Sequence, residues 1–344
     1  MESKFVNIVN SQNLFLENHQ QNNKCNCSSL IPIFIILGLI ILCIFFALLP
    51  NFLLNDDEDD DKKIPVIFDV DEGGDDMLAF TIAKNSKKFK ILGITTVCSN
   101  YYGEDVAKIW LRFLEYMGFD DKVYLGEEHP IKRKSDILYF AHDYDIEFPE
   151  TTKTIEEQRG VDFMYKTIKN YNKKVTLFLL GPVTNFAKAY QKDSTIVDNI
   201  EEIIIMGGSM NGGNVYSNQN AEYNCFNDAD AMDLLINSGA KVKIFGLEVN
   251  VEFTDNIYRN LLDMNTRSSI LAYHLGKGTF NTWGDNYFFD PVTVLYYLDN
   301  KLVTLNDYYI EVNITDNPEN NPTDYGTMYF YKPSGNLNSN AKYT

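Results

Sequence analysis

Apolar runs alternate with amphipathic stretches along most of the chain. The runs are IPVIFDV (64–70), FKILGITTVCS (89–99), VTLFLL (175–180), IEEIIIM (200–206) and KVKIFGLEV (241–249). In several of the stretches between these runs, apolar residues recur at the spacing of one face of a helix. Strands that are apolar almost throughout are typical of sheets buried on both faces. The pattern therefore predicts an α/β domain beginning near Ile64, with an open, mainly parallel sheet and helices on both faces.

A long uncharged segment, from Leu30 to Leu54, precedes that domain. As a helix it would exceed the roughly 30 Å thickness of a bilayer core. A cleaved signal peptide is the competing interpretation, but its apolar region is usually shorter and closer to the start. Lys4 and Lys24 precede the segment and an acidic run follows it, which favours a cytosolic N-terminus and a domain outside the cytosol or in a lumen. The predicted organisation is a disordered tail (1–29), a transmembrane helix (30–54), an acidic stalk (55–63) and one domain (64–344).

Composition limits the partners and the redox chemistry. The net charge is -18 and no basic cluster occurs, which argues against nucleic-acid binding. The five cysteines do not form a disulfide framework, and Cys98 and Cys225 are expected to be ordinary small core residues. Much of the acidity is expected to serve solubility, and part of it to bind a cation.

The strongest local signal is DVDEGGDD, residues 69–76, at the end of the first predicted strand. Carboxylates this crowded repel one another unless a positive charge lies among them, and Ca²⁺ accepts several oxygen ligands in irregular geometry. Gly73 and Gly74 allow a tight turn around such an ion. A solvated acidic loop with an N-capping aspartate is the plainer alternative. A phosphatase of the haloacid dehalogenase type fits poorly, because it usually has a DxDGT-like turn. The position after a buried strand favours the metal site.

Further motifs follow in a fixed order, and together they resemble the inosine-uridine preferring nucleoside hydrolase family. The family's opening motif is DxDPGxDD, with Glu72 here in place of proline. The other blocks are GITTV (93–97) with Asn100, LGPVTN (180–185), MGG (206–208) with Asn214, AEYN (221–224) and FDP (289–291). They cover most of residues 64–300. The resemblance implies the nucleoside hydrolase fold, with one α/β domain and an aspartate-bound divalent metal.

The resemblance also assigns roles to individual residues. It makes Asp71, Asp76, Asp290 and the carbonyl of Leu180 the metal ligands, with Ca²⁺ as the expected ion and Asp71 as the general base. Asp69 would orient this group. The residues expected to contact the ribose are Asp75, Asn100, Met206, Asn214, Glu222 and Asn224. Such side chains match the donors and acceptors of a sugar.

Several of these residues also have plain structural interpretations. Asn214 follows two glycines and could be a turn residue. Asp290 precedes Pro291 and could be a helix N-cap, a role compatible with metal binding. Glu222 and Asn224 could cap a helix near Asp228. Met206 could belong to the core at the end of its strand.

The departing base is where the chain differs from the family. Several members have a histidine just before the late aspartate, and Phe289 occupies that position here. His142 is the best remaining candidate for the acid, although a surface or structural histidine is an equally good interpretation. The aromatic segment 283–289 could stack on a base. After about Val312 the resemblance thins, so either an abbreviated domain or an incomplete sequence is expected.

The predicted activity is hydrolysis of the N-glycosidic bond of ribonucleosides to base and ribose in nucleoside salvage, with a metal-activated water and a lean towards purines. A homo-oligomer is possible. The alternatives are a non-catalytic nucleoside- or metal-binding membrane receptor on the same fold and a hydrolase of another ribosyl compound. Loss of Asp71 or Asp76 would favour the receptor, and both are present.

Overall fold

A nine-stranded sheet lies at the centre of the part of the chain that the computed structural model describes. The described residues are 60–99, 101–133, 145–215, 220–284, 286–315, 324–334 and 337–344. The strands are β1 (Ile64–Val70), β2 (Phe89–Thr96), β3 (Val123–Leu125), β4 (Val175–Leu179), β5 (Ile200–Met206), β6 (Val242–Phe245), β7 (Val251–Glu252), β8 (Tyr287–Phe288), β9 (Asn306–Val312), β10 (Met328–Tyr331) and β11 (Ala341–Tyr343).

Nine α-helices are found in the same residues. They are α1 (Gly74–Ser86), α2 (Gly103–Met117), α3 (Gly160–Asn170), α4 (Thr184–Lys192), α5 (Tyr223–Asn227), α6 (Ala229–Ile236), α7 (Asp255–Met264), α8 (Arg267–Trp283) and α9 (Asp290–Leu298). Short 3₁₀ helices occur at Asp60–Lys62 and Ser194–Asn199.

The strand order is β10-β9-β11-β6-β5-β4-β1-β2-β3. All neighbours from β6 to β3 are parallel, and β11 is parallel to β6. β9 is antiparallel to both β11 and β10, while β7 and β8 form a separate antiparallel pair. The expected mainly parallel sheet is therefore confirmed, with an antiparallel extension at one edge.

Successive residues of the central strands point to opposite faces of the sheet. In β1, Ile67 packs in the apolar cluster with residues of α3, α4 and α6. The next residue, Phe68, packs on Phe80 of α1 with ring centroids 5.3 Å apart. In β4, Phe178 likewise lies 5.9 Å from Tyr297 of α9. Burial on both faces explains why these strands are apolar throughout.

The predicted membrane topology and localisation are wrong. Among residues 60–344, where described, no helix is long and apolar enough to cross a bilayer. The segment 30–54, on which that prediction was based, lies outside the described residues. Part of the predicted stalk packs on the domain, since Asp60 forms an ion pair of 2.7 Å with Lys90 of β2.

The C-terminal residues belong to the sheet. Ala341–Tyr343 form β11, which lies between β6 and β9. Ala341 and Tyr343 are buried, and their side chains are part of the same apolar cluster as Ile67. This last strand therefore contributes to the core next to β6.

Candidate active site

Three neighbouring strands bring their carboxyl ends together at one edge of the sheet. Asp71 follows β1, Leu180 follows β4, and Met206 ends β5. The backbone N–H of Leu180 donates to the carbonyl of Asp69 at 2.8 Å. A Cβ on Gly181 would lie 3.3 Å from Asp71 Oδ2, so the glycine lets this loop run beside the carboxylate. The position is the one expected for a site in a parallel sheet.

The turn from β1 to α1 is closed by its own aspartates. Gly73 N–H donates to Asp71 Oδ1 at 2.9 Å, and Asp71 N–H donates to Asp76 Oδ1 at 3.2 Å. Trp110, buried on α2, donates its indole N–H to the Asp71 carbonyl at 2.5 Å. Sequence reasoning missed Trp110, because no local pattern links it to the turn. These contacts fix the backbone that presents the carboxylates.

Asp75, Asp76 and Asp290 form the tightest acidic group in the described residues. One carboxylate oxygen from each lies within 4.8 Å of the others. Asp290 is the first residue of α9, with Phe289 at the N-cap position, so Asp290 is not itself the cap. The backbone N–H of Phe289 donates to Asp75 Oδ2 at 3.4 Å. Asp75, which was predicted to contact ribose, thus lies in this acidic group with Asp76 and Asp290.

Burial and mutual repulsion make these carboxyl groups hard to ionise. Burial, followed by the charges of neighbouring aspartates, raises the pKa of Asp76 well above its ordinary value. The pKa of Asp290 is raised well above its ordinary value for the same reasons, and that of Asp75 to about 6. Burial also raises the pKa of Asp71, although hydrogen bonds from the turn oppose the shift. A cation among these groups would reverse the penalty.

The residues present fit a hard divalent cation. Asp290 Oδ1 is buried and has no hydrogen-bond partner among the described residues. The group offers carboxylate oxygens, which are ligands that Ca²⁺ and Mg²⁺ prefer. The Leu180 carbonyl accepts a hydrogen bond from Asn224 Nδ2 at 2.8 Å, which leaves its second lone pair available.

Asp69 lies behind this cluster and connects three elements. Its Oδ1 accepts from Thr95 Oγ1 of β2 at 2.5 Å and from Asn185 Nδ2 of α4 at 2.7 Å. Burial raises the pKa of Asp69 to about 7, against the effect of these two bonds. Asn185 also donates to the Thr96 carbonyl at 3.0 Å. These contacts join Asp69 to β2 and α4, and its orienting role stays a prediction.

Glu222 is the N-cap of α5. Its Oε1 accepts from Asn224 N–H at 2.8 Å, and its Oε2 accepts from Gly208 N–H at 2.9 Å and Cys225 N–H at 3.0 Å. Burial raises the pKa of Glu222 to about 7, opposed by these bonds. Glu222 therefore caps the helix that begins at Tyr223 and not the one near Asp228, and Asn224 lies within α5. Asp228 caps the following helix, α6, through Ala231 N–H at 3.1 Å.

The other predicted ribose contacts lie around the same helix start. Asn224 Nδ2 also approaches the carbonyl and sulfur of Met206, at 3.3 and 3.4 Å. Met206 is buried at the end of β5, as its core interpretation requires. Asn214 is exposed, and its Oδ1 accepts from Tyr223 N–H at 2.8 Å. The structure thus places Met206, Asn214, Glu222 and Asn224 side by side.

The residues predicted to serve the base are less completely described. Asn100 and His142 lie outside the described residues. Phe289 is half-buried, and Tyr287 is 42% exposed. Phe288 is buried against Phe253, with ring centroids 4.6 Å apart, so it belongs to the core and cannot stack on a base.

Comparison with known proteins agrees with the resemblance drawn from the motifs and confirms it. The family described as "Inosine-uridine preferring nucleoside hydrolase" matches residues 66–342, well beyond the point where the motifs thin. Uridine nucleosidase 1 of Arabidopsis thaliana is 31% identical over 56% of this chain and 58% of its own length. The chain thus matches less than two thirds of that relative. A pyrimidine-specific ribonucleoside hydrolase of Escherichia coli is 25% identical over 75% of this chain and 85% of its own.

Solved structures give the same result. A purine-preferring ribonucleoside hydrolase from Gardnerella vaginalis superposes with a TM-score of 0.71 at 27% identity. The superposition covers 81% of this chain and 92% of that one. The α/β fold with a mostly parallel sheet is therefore shared.

Proposed function

Because the chain belongs to the inosine-uridine preferring nucleoside hydrolase family, whose members are N-glycosyl hydrolases, we propose that it hydrolyses ribonucleosides to free base and ribose. The observation that carries the proposal is the carboxylate group at the starts of α1 and α9, where Asp76 and Asp290 are buried and each has a carboxylate oxygen within 4.8 Å of one on the other. Such a group is costly for folding unless it binds a cation.

The metal site is proposed to consist of Asp71, Asp76, Asp290 and the Leu180 carbonyl, with Ca²⁺ as the ion. Asp75 lies close enough to Asp76 and Asp290 to share in it. A bound divalent cation lowers the pKa of a coordinated water. Asp71 would accept the proton of the attacking water as general base.

The reaction breaks the bond between the anomeric carbon and the base nitrogen. The oxygen of water forms the new bond to the anomeric carbon, and the electron pair of the broken bond leaves with the base, which takes up a proton. The sugar passes through an oxocarbenium-like state, whose positive charge the buried carboxylates stabilise.

Ribose recognition is assigned to Asp75, Asn100, Met206, Asn214, Glu222 and Asn224. Glu222 accepts three backbone hydrogen bonds, and an ionised carboxylate has about four acceptor sites, so one remains for a sugar hydroxyl. Asn224 donates to the carbonyl of Leu180, a proposed metal ligand, and to the carbonyl of Met206, a proposed ribose contact. It can therefore connect the proposed ribose contacts, here called the ribose side, to the proposed metal ligands, here called the metal side.

The base is proposed to be a purine. Phe289 cannot donate a proton, so the reaction should favour a leaving group that protonates easily, such as a purine through N7. The names of the relatives divide between uridine, pyrimidine and purine preference, so the choice of a purine rests on Phe289. His142 is proposed as the acid.

The test is ribose release from a panel of inosine, guanosine, adenosine and uridine, with added Ca²⁺ or with a chelator. We expect Ca²⁺-dependent release, faster from the purine nucleosides. His142→Ala should cost more activity than His129→Ala or His274→Ala. If uridine is the best substrate and all three variants keep full activity, the account of the leaving group is wrong. Tight nucleoside binding without any ribose release would instead favour a non-catalytic binding protein.

A further inference from the structure

The middle of the loop that follows β5, residues 207–215, is held by one carboxylate that lies outside the proposed site. Glu248, just after β6, accepts from Met210 N–H at 2.7 Å and from Asn211 N–H at 3.0 Å through its Oε1. Ser209 Oγ lies 3.0 Å from the same oxygen. The loop contains glycines at 207, 208, 212 and 213. Without the hydrogen bonds to Glu248, these glycines would give its backbone unusual conformational freedom. Glu248 restricts that freedom.

The C-terminal strand holds Glu248 in turn. Tyr343 of β11 is fully buried and donates its hydroxyl hydrogen to Glu248 Oε2. Burial and the charge of Glu248 raise the pKa of Tyr343, so this hydroxyl remains a donor. A Cβ on Gly246 would lie 1.6 Å from the Tyr343 hydroxyl oxygen, so the close approach of β11 requires glycine there. A hydrogen bond to a carboxylate is stronger than one between neutral groups.

The same loop reaches the proposed ribose contacts at its two ends. Gly208 has a φ of +75° and donates its N–H to Glu222. At the far end, Asn214 accepts from Tyr223 N–H, the first residue of α5. Glu248 holds the middle of the loop between these two points. The hydrogen bonds of Glu248 go to the loop and to Tyr343, whereas the metal-side residues Asp71, Asp76 and Asp290 belong to other elements.

We infer that Glu248 is a positioning residue for ribose binding, and that Tyr343 of the C-terminal strand keeps it in place. The inference rests on the proposed function, because it assumes that Asn214 and Glu222 contact ribose. Release of the loop should weaken substrate binding, while the proposed metal and the general base Asp71 remain in place. The expected sign is therefore a rise in KM with a smaller change in kcat.

The test removes one hydroxyl group and keeps the ring. Tyr343→Phe is compared with Tyr325→Phe, a matched control, since Tyr325 is also fully buried and donates to a carboxylate, Asp230 Oδ2, at 2.8 Å. Asp230 lies on α6, and its ion pair is with Lys132. We expect Tyr343→Phe to raise KM and the Kd for ribose by roughly 5- to 20-fold. Hydrogen–deuterium exchange at the Met210 and Asn211 amides should become faster in this variant alone. Ca²⁺ binding should match that of the control.

Two further variants separate positioning from packing. Glu248→Gln keeps an oxygen acceptor for the two amides, so it should retain more ribose affinity than Glu248→Ala. Equal KM values for the two phenylalanine variants, or unchanged exchange at Met210 and Asn211, would overturn the inference. If the wild-type protein releases no ribose from any nucleoside, the proposed function fails. Exchange and ribose affinity then still decide whether Glu248 positions a sugar-binding loop.

Discussion

The metal side and the ribose side of the proposed site both contain buried carboxylates, but the partners of their carboxylate oxygens differ. On the metal side, Asp76 and Asp290 face other carboxylates, and Asp290 Oδ1 has no partner among the described residues. On the ribose side, Glu222 accepts three backbone N–H groups. An acidic group whose charge is left uncompensated needs an ion, whereas one satisfied by the backbone can offer a ligand only its remaining lone pair.

The largest expected effect comes from Asp76→Asn. The change removes one charge from the proposed metal site, so ribose release should fall by more than about 100-fold and stabilisation by Ca²⁺ should disappear. Without metal, the variant should be more stable than the wild type at pH 8, because a costly buried charge is gone. The measurements are ribose release and thermal unfolding with Ca²⁺ or chelator. Asp230→Asn, away from the site, is the control, and an Asp76→Asn protein that Ca²⁺ still stabilises would contradict the comparison.

Metal removal and pH sharpen the same contrast. The pKa of Asp75 is raised to about 6 and that of Asp76 well above its ordinary value. A carboxyl group with a raised folded-state pKa binds protons more readily when folded, so stability increases as the pH falls through that pKa. In the presence of chelator, the Tm should therefore increase as the pH is lowered from 8 to 5. The increase should be roughly 2–4 °C for each kcal/mol gained in the free energy of unfolding.

With saturating Ca²⁺ the pH dependence should reverse. The proposed ligands are then charged and bound, and acid protonates them and releases the metal. The Tm should be highest near neutral pH and fall towards pH 5. Parallel curves with and without Ca²⁺ would show that the carboxylate group binds no metal.

The smallest of these effects is expected on the ribose side, from Glu222→Gln. The amide keeps one acceptor but places its NH₂ group against backbone donors, so it should destabilise the fold by about 1–3 kcal/mol. KM should rise, and Ca²⁺ binding should change little, because Glu222 is engaged with the backbone of Gly208, Asn224 and Cys225. Thermal unfolding, KM and calcium titration are the measurements. A loss of Ca²⁺ binding as large as in Asp76→Asn would remove the distinction between the two sides.

Much of the fold could be predicted from local patterns. The apolar runs at β1, β2, β4, β5 and β6 indicated buried parallel strands. The carboxyl ends of β1, β4 and β5 carry Asp71, Leu180 and Met206, which the motifs selected. The predicted membrane topology was wrong. It was inferred from one uncharged run in the sequence, and no helix in the described residues is long and apolar enough to cross a bilayer. The core role of Phe288 was also missed, since aromatic residues suit a core and a base equally well.

The sequence by itself determined the parallel α/β class, the acidic turn at residues 69–76 and the order of the motifs, because each depends on neighbouring residues. Only the tertiary structure decided which distant groups meet. It brought Trp110 to the backbone of Asp71, Asp75 into the acidic group with Asp290, and Tyr343 to Glu248. These contacts join residues far apart in the chain through sheet order and helix packing. Single-residue periodicity carries no information about such contacts, since many pairings bury the same apolar faces.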